Sequence, residues 1–512
     1  MDKNFFSFKE ITGEHISRTK VVCTGHFNVL HPGHFRFLKF LHSFGGGVCV
    51  ILQDITKIHS ENEQNCFSEE DRSAALLSLP YVDFVLASGG STIEESLSIL
   101  RPEKFVLGHE FERQQPGYLK SAIKAAKNIG IEVVFHSGDQ VNYFDDLLAL
   151  EPRLPSRQQK LIRSFNGVCR RRSLNLVDLK HNTEAYRSIK TLVIGDLMVD
   201  EFVSSEPLGL SSEAPVIVVR ELEKKQYVGG AGIVAAHVAS LTGGCQFLSV
   251  VGNDEPGQFA SAKLASYGVN ADLIVDKTRP TTFKTRYLSG TQKLFRVSRL
   301  VENDVSSDIE RLIIQKVEKL APRLDNIIVS DFVYGVVTDK VLDAIQKIAK
   351  RHGVMLFGDL QCSSQVGNVL RFGGFATIFP TEKEARIAIN NKDDGLEFVA
   401  QTLFEKSNCD SLIIKLGSDG LIAYKKTRSG FIQSEHFPAL SGDPVDVSGA
   451  GDTLLASVAT AITSGRSIIE AVAVGTLAAS VAVETFGNHP VSMEQINAKI
   501  DWLVDLESQN AV

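Results

Sequence analysis

Ten residues near the C-terminal end, Pro444 to Thr453, read PVDVSGAGDT, and their types and spacing suit the handling of an anion. Ser448-Gly449-Ala450-Gly451 form a turn, after which Leu454 to Ile462 continue as an apolar, helix-like segment. Glycines let the backbone come close to a phosphate, whose charge is stabilised by unpaired N–H groups and by the positive end of the helix that follows. Asp452 stands on the first turn of that helix. A carboxylate there would repel the phosphate unless it faces a hydroxyl and accepts its proton as the phosphoryl group moves. The plainer alternative makes Asp452 an ordinary first-turn acid and the glycines an ordinary loop.

A second such stretch lies near the start of the chain. Lys20 to Cys23 is strand-like and leads into TGHFNVLHPGHF, in which Gly25 permits a tight exit from the strand. Phe35, Leu38 and Leu41 then recur with helical spacing, which places His31 and His34 around a helix start. Imidazoles there add hydrogen-bond donors to the helix-terminal field and suit the phosphates of a nucleotide. One histidine alone would more often be structural; two, in HPGH directly after a strand and a glycine turn, are more specific.

The elements that must hold these residues read as alternating strands and helices. At 512 residues the chain exceeds one ordinary core. Its 43% hydrophobic and 22% charged residues describe a globular protein, and a net charge of −7 gives no support for nucleic-acid binding. Seven cysteines at 23, 49, 66, 169, 245, 362 and 409 show no metal-type pairing and suit a reducing, cytoplasmic setting. The opening MDKNFFSFKEITGEH lacks the apolar stretch of a signal peptide, and no apolar run reaches the roughly 18 residues of a membrane span. Residues 1–150 form one α/β unit and 191–512 a second. Between them, 151–190 contains EPRLPSRQQK and CRRRS and reads as a linker; Arg170-Arg171-Arg172 is either a phosphate or partner patch or, preferably, part of a solvated linker helix. In the second unit IIVSDF, VMLFGDL, ATIFPTEKEA and SLIIKLGSDGLIAY alternate with helical segments, as in a parallel sheet covered by helices. TTFKTRYLSGTQKLFRVSR alternates like two strands around Ser289-Gly290, with Lys284, Arg286, Arg296 and Arg299 making it cationic. Those cations either bind a phosphate already on a substrate or are exposed strand charges on an edge.

VDVSGAGDTLLA resembles the signature of the PfkB/ribokinase family of carbohydrate kinases, and TLVIGDLMVDEF resembles the opening of such a kinase. The resemblance implies a ribokinase-like α/β domain with a small β lid. It makes Asp452 the catalytic base and Gly449, Ala450 and Gly451 the anion hole. Asp200 would contact sugar hydroxyls, and Gly229-Gly230-Ala231-Gly232 would open a helix that approaches the substrate closely. Glu384 resembles the residue that orients Mg²⁺ through water, and Gly417 and Gly420 lie on the nucleotide-side turn. Asp446 stands near a monovalent-cation site of the K⁺ type, or serves the turn. Four positions depart from the pattern: Ile233 and Thr381 replace a frequent Asn, and Leu360-Gln361 follow Asp359 where heptose kinases often have Pro-Lys.

The HPGH stretch resembles the cytidylyltransferase-type nucleotidyltransferases, whose hallmark is HxGH, and implies a Rossmann-like domain. In that family a substrate phosphate attacks the α-phosphate of a nucleoside triphosphate and releases pyrophosphate, with Mg²⁺ expected. His31 and His34 would stabilise the developing charge. Asn28 stands where many members have Asp, and Arg72 fits a position near the nucleotide phosphates, its alternative being a solvated helix charge. Val141-Asn142-Tyr143-Phe144 occupy the place of a Ser/Thr-rich phosphate loop. Together the two halves resemble bifunctional heptose-phosphate kinase/adenylyltransferases, with the domain order reversed. The implied activity is ATP-dependent phosphorylation of a sugar or sugar phosphate, followed by nucleotidyl transfer to the sugar 1-phosphate. The alternative is a working kinase whose N-terminal domain binds nucleotide as a regulatory module. ATP, a sugar phosphate, no nucleic acid, no membrane and a homodimer are the expected substrates and partners.

Overall fold

A computed structural model describes residues 5–28, 30, 32–53, 67–87, 91–108, 117–136, 157–181, 183–213, 216–290, 292–361, 367–427, 432–442 and 444–510. Two compact units are present. One comprises Met1–Pro152 with Ile389–Thr402 and Tyr424–His436, the other Arg153–Ala388, Leu403–Ala423 and Phe437–Val512.

In the first unit six strands, β1 (Phe5–Ser7), β2 (Val21–Gly25), β3 (Val48–Leu52), β4 (Phe84–Ala87), β5 (Lys104–Gly108) and β6 (Glu132–His136), make a parallel sheet in the order β1-β4-β3-β2-β5-β6. Alternate residues of β2 and β3 feed two different cores. Val22, Cys49 and Ile51 pack on one face, Val21, Cys23, Val48, Val50 and Leu52 on the other. Both faces are therefore covered, which is why VCVIL is apolar throughout rather than alternating. From β2 the order steps one way to β3 and β4 and the other way to β5 and β6. Crevices open at the carboxyl ends of strands where the order reverses, and here Gly25 ends β2 at that place.

A nine-stranded sheet is ordered β11-β10-β7-β14-β15-β16-β17-β18-β19, and its strands from β11 to β17 lie in the second unit. Its strands are β7 (Thr191–Gly195), β10 (Cys245–Val251), β11 (Val269–Val275), β14 (Asn326–Asp331), β15 (Met355–Leu360), β16 (Thr377–Ile378), β17 (Ser411–Lys415), β18 (Leu421–Lys426) and β19 (Ile432–Phe437). From β11 to β17 every pairing is parallel. The order reverses at β7, between β10 and β14. A separate four-stranded sheet, β13-β12-β8-β9, is built from β8 (Leu197–Leu210), β9 (Ile217–Gly230), β12 (Thr282–Ser289) and β13 (Gln292–Arg299). The small β sheet expected from Thr281 to Arg299 thus exists. The helices Ala231–Thr242, Ala450–Thr463 and Ile468–Ala482, rich in Ala, Gly and Val, are buried almost all round.

The segment expected to carry a solvated linker helix is folded differently. Helices Arg157–Arg171, Leu176–His181 and Thr183–Arg187 send Ile162, Phe165, Val168, Cys169, Leu176, Leu179 and Tyr186 into the core of the second unit. Arg172 is itself buried. The physical reason is an apolar stripe at helical spacing, Ile162, Phe165, Val168 and Cys169, set among charged residues.

Candidate active sites

The second unit gathers its charged side chains where the parallel strands end. β15 brings Asp359, β17 ends on Lys415, and the helix Ala450–Thr463 carries Asp452 in its first turn. Lys415 Nζ donates to Asp359 Oδ1 at 2.7 Å. Gln361 Nε2 donates both to Asp452 Oδ1 at 2.9 Å and to Asp359 Oδ2 at 3.1 Å. Asp359 is fully buried and Asp452 nearly so. Burial, with the Asp359 charge behind it, pushes the Asp452 carboxyl up to about 7; Lys415 and the Gln361 amide pull the other way. A carboxylate so tuned holds a proton readily and releases it near neutrality, which is what a general base for a hydroxyl requires.

Gly449 caps the same helix at φ 78°, a left-handed conformation that L side chains rarely adopt. The turn is tied down from behind. Thr453 Oγ1 donates to the Gly449 carbonyl at 2.9 Å and lies 2.9 Å from His237 Nε2. His237 Nδ1 accepts from the Val491 N–H at 3.0 Å, so the ring proton sits on Nε2 and points at Thr453. Burial drives the His237 pKa down to about 3, and the ring stays neutral at any working pH. Ala450 and Gly451 follow in the first turn, where backbone N–H groups have no intrahelical partner.

Asp446 lies just before the turn, and its carboxylate accepts from Ser448 N at 3.1 Å, Ser448 Oγ at 2.8 Å and Gly487 N at 3.3 Å, so its charge serves the turn. Beside it Asn488 Oδ1 is buried without a hydrogen-bond partner, 2.7 Å from where a Cβ on Gly449 would be. An orphaned carbonyl-type oxygen next to a carboxylate suits a hard monovalent cation. Glu384 and Thr381 cap one helix start: Glu384 Oε2 accepts from Thr381 N at 2.8 Å and Thr381 Oγ1 from Glu384 N at 3.3 Å. No group of three His, Cys, Asp or Glu suited to hold a metal occurs among the described residues.

The small sheet supplies the second set of predicted residues. Asp200 on β8 pairs in register with Lys284 on β12, and Arg286 forms an ion pair with Asp200 Oδ1. Gly229 presses on that carboxylate, since a Cβ there would come within 2.4 Å of Asp200 Oδ2; Gly230 follows at the helix start. Lys284, 3% exposed, places Nζ 5.0 Å from the Tyr334 ring centroid and 5.7 Å from that of Phe332. Arg296 stands opposite Arg286 on β13 and is exposed, so it lies outside the Asp200 ion pair. Gly417 and Gly420 flank the short turn after β17. Ile233 is wholly buried in the core.

In the first unit Gly25 ends β2, and a Cβ there would meet the Phe27 ring at 2.8 Å. Phe27 adopts φ 46°, an uncommon conformation for a bulky residue, at the entrance to the HPGH turn. His34 lies on the first turn of the helix Pro32–His42 with its ring 4.9 Å from that of Phe27. Asn28 Oδ1 accepts from Phe67 N at 2.8 Å. Arg72 is buried, which removes the solvated-charge alternative. Its Nη1 donates to the carbonyls of His26 at 2.6 Å and Gln53 at 3.0 Å, bracing the turn after β2 against the end of β3. His31 and the Val141–Phe144 segment lie outside the described residues.

Sequence reasoning passed over Lys415, His237 and Asn488 as site residues. Lys415 had one signal, a lone cation closing the apolar strand SLII.

The fold and site are those of a carbohydrate-kinase unit, with a second, parallel-sheet α/β unit in the same chain. The chain belongs to the pfkB family of carbohydrate kinases, whose model matches residues 189–495, and residues 22–194 match the cytidylyltransferase-like model. Among curated proteins it is 30% identical over 319 residues to the bifunctional protein HldE of Desulfatibacillum aliphaticivorans, covering 62% of this chain and 64% of that one. It is 32% identical over 320 residues to HldE of Geotalea uraniireducens (strain Rf4), covering 61% and 63%. The matches thus span less than two thirds of these relatives. Phosphofructokinase-2 from Escherichia coli in complex with potassium shares the fold, with a TM-score of 0.51, 16% identity, and coverage of 62% of this chain and 99% of that one. No helix among the described residues is long and apolar enough to cross a membrane.

Proposed function

We propose that the protein is a bifunctional sugar-activating enzyme. Its C-terminal unit phosphorylates a sugar or sugar phosphate of the heptose 7-phosphate kind with ATP, and its N-terminal unit joins the resulting sugar 1-phosphate to a nucleotide. The observation that carries the kinase half is Asp452, held through Gln361 in the first turn of the glycine-led helix, with its pKa near 7. The sugar hydroxyl gives its proton to Asp452 as its oxygen bonds to the γ-phosphorus and the bond to the β,γ-bridging oxygen breaks, releasing ADP. N–H groups of Gly449 to Gly451 face the charge that develops. Asp200 orients sugar hydroxyls against Gly229 and Gly230. Lys284 and Arg286 face a phosphate already on the substrate, with Arg296 adding charge at the rim. Glu384 would help to hold Mg²⁺ through water, and the ion would supply charge neutralisation to the nucleotide phosphates, while Gly417 and Gly420 shape the nucleotide side. Asp446 and Asn488 are where a monovalent cation such as K⁺ would bind.

In the N-terminal unit His31 and His34 would stabilise the charge that develops on the triphosphate, the role the HxGH motif implies. Gly25 and Asn28 shape that turn, and Arg72 braces it. A cytoplasmic homodimer is the expected state. The second reading, a kinase with a nucleotide-binding regulatory N-terminal unit, is favoured by two observations. Val141 to Phe144 replace the hydroxyl-bearing phosphate loop, and Arg72 spends Nη1 on backbone carbonyls. The two readings separate in one assay that follows ADP and pyrophosphate independently. Pyrophosphate from a supplied sugar 1-phosphate, lost in His31→Ala/His34→Ala, supports the first; nucleotide binding with no pyrophosphate supports the second.

A further inference from the structure

Resting on the kinase reading, we infer that Lys415 is a catalytic residue: its ammonium contacts the phosphoryl group in flight. The side chain is 12% exposed and paired with an Asp359 that is fully buried. Its Nζ lies 3.6 Å from where a Cβ on Gly451 would be, so the ammonium sits against the N-terminal turn that begins the Ala450–Thr463 helix. A cation beside the positive end of a helix is electrostatically unfavourable unless an anion lies between them. The site provides for one. Asp359 occupies a single hydrogen bond of an ammonium that has three donors, and the turn presents backbone N–H groups of its own.

The charge balance points the same way. Asp359 and Asp452, with Glu384 near Asp359 and Lys415, give this end of the sheet three carboxylates, while the position two residues after Asp359 is Gln361, a neutral amide. Lys415 is the cation that acts on all three. A γ-phosphoryl group carried into this cluster without it would meet three carboxylates and the neutral Gln361 amide. With it, one ammonium offsets both Asp359 and the charge spread over the equatorial phosphoryl oxygens. Gln361, bonded to Asp359 and Asp452 together, sets that cation and the base in one frame. Lys415 forms no bond to phosphorus and transfers no proton; it donates a hydrogen bond to a phosphoryl oxygen.

The test uses the full chain with ATP and heptose 7-phosphate for turnover, and ADP with aluminium fluoride as a probe of the phosphoryl position. Lys415→Met is expected to lower kcat about 10²- to 10³-fold, as loss of one preorganised donor does, with KM for the sugar phosphate changed less than threefold. It should weaken ADP–aluminium fluoride at least tenfold and leave ADP affinity unchanged. Because Lys415→Met strands a buried carboxylate, Asp359→Asn/Lys415→Met is measured beside it and is expected to fold and to show the same selective loss of aluminium fluoride. Gln361→Lys added to Lys415→Met returns a cation from the end of β15 and should recover at least tenfold in kcat. Wild-type affinity for ADP–aluminium fluoride in both Lys415 variants overturns the assignment, as does a failure of Gln361→Lys to rescue. Asp452→Asn is run in parallel. If it still forms ADP at the wild-type rate, the kinase reading itself fails; if it is dead while Lys415→Met is active, only the role of Lys415 is lost.

Discussion

Replacing Gln361 by lysine in the otherwise unaltered chain asks whether Asp452 is the proton acceptor and what sets the pH at which it works. Burial above all, then the charges of Asp359 from β15 and Asp200 from β8, hold Asp452 at about 7 rather than 3.8, against the pull of Lys415 from β17 and the Gln361 amide. A base must be ionised to accept a proton, so log kcat/KM for ADP formation should fall with unit slope below about pH 7 and be roughly tenfold down at pH 6. A carboxylate at 3.8 would leave that interval flat. Gln361→Lys puts a charge where the amide now touches Asp452 and Asp359 at 2.9 and 3.1 Å. A unit charge about 4 Å from a carboxylate at an effective dielectric constant of ~20 is worth about 4 kcal/mol. The interaction with each carboxylate is separate, so up to about 4 kcal/mol, or about 3 pH units, acts on Asp452 and moves its acid limb below about pH 5.5. Initial rates from pH 5 to 9, at low and at saturating heptose 7-phosphate, measure both limbs. Acid limbs at the same pH in the two proteins, or a wild-type rate flat down to pH 5, would refute the reasoning.

Three further outcomes follow from the same geometry. Asp452→Asn should abolish ADP formation yet stabilise the kinase unit at pH 8. The raised pKa means that folding gains from the protonated carboxyl below 3.8 and loses that gain as pH passes about 7. The difference, up to about 4 kcal/mol at pH 8 and near zero at pH 4, can be followed by the fluorescence of the chain's single tryptophan, Trp502, on the kinase unit's last helix. Phe165→Ala, in the stretch whose composition suggested a solvated connector, should cost about 3–5 kcal/mol in denaturant titrations read at Trp502; a change under about 0.5 kcal/mol would mean the helix is not core. Arg72→Ala leaves two partly buried carbonyls without this donor and should destabilise the first unit by about 1–3 kcal/mol, read as faster hydrogen exchange in β2 and β3. Unchanged exchange would argue that Arg72 is reserved for a ligand.

Local signals carried much of this molecule. VCVIL, FVLA and TLVIG announce strands buried on both faces, and the turn at Ser448 to Gly451 announces a helix N-terminus, because period and glycine placement are properties of neighbouring residues. The cluster around Asp452 was not legible in the same way. Asp359, Gln361, Lys415 and Asp452 come from separate elements, and Gln361 and Asp452 are 91 residues apart. Only the sheet order, which sets β15 and β17 on either side of β16, makes them neighbours. Residues 151–190 misled for a different reason: a search for strand-like alternation passes over a helical stripe, and the arginine run hides Phe165 and Val168. Arg72 looked like a surface or phosphate charge because nothing in EEDRSAALL reveals that carbonyls 19 and 46 residues away close on it.

The most direct test of the central claim measures ADP and pyrophosphate separately from one preparation supplied with ATP, CTP and a panel of sugar phosphates. Asp452→Asn and His31→Ala/His34→Ala serve as the paired variants. Two active sites predict that ADP formation is lost only with Asp452→Asn, and that pyrophosphate release from a supplied sugar 1-phosphate is lost only with the histidine pair. Robust ADP formation with no pyrophosphate from any sugar 1-phosphate and either nucleotide would contradict the bifunctional account and leave a carbohydrate kinase with a nucleotide-binding partner domain.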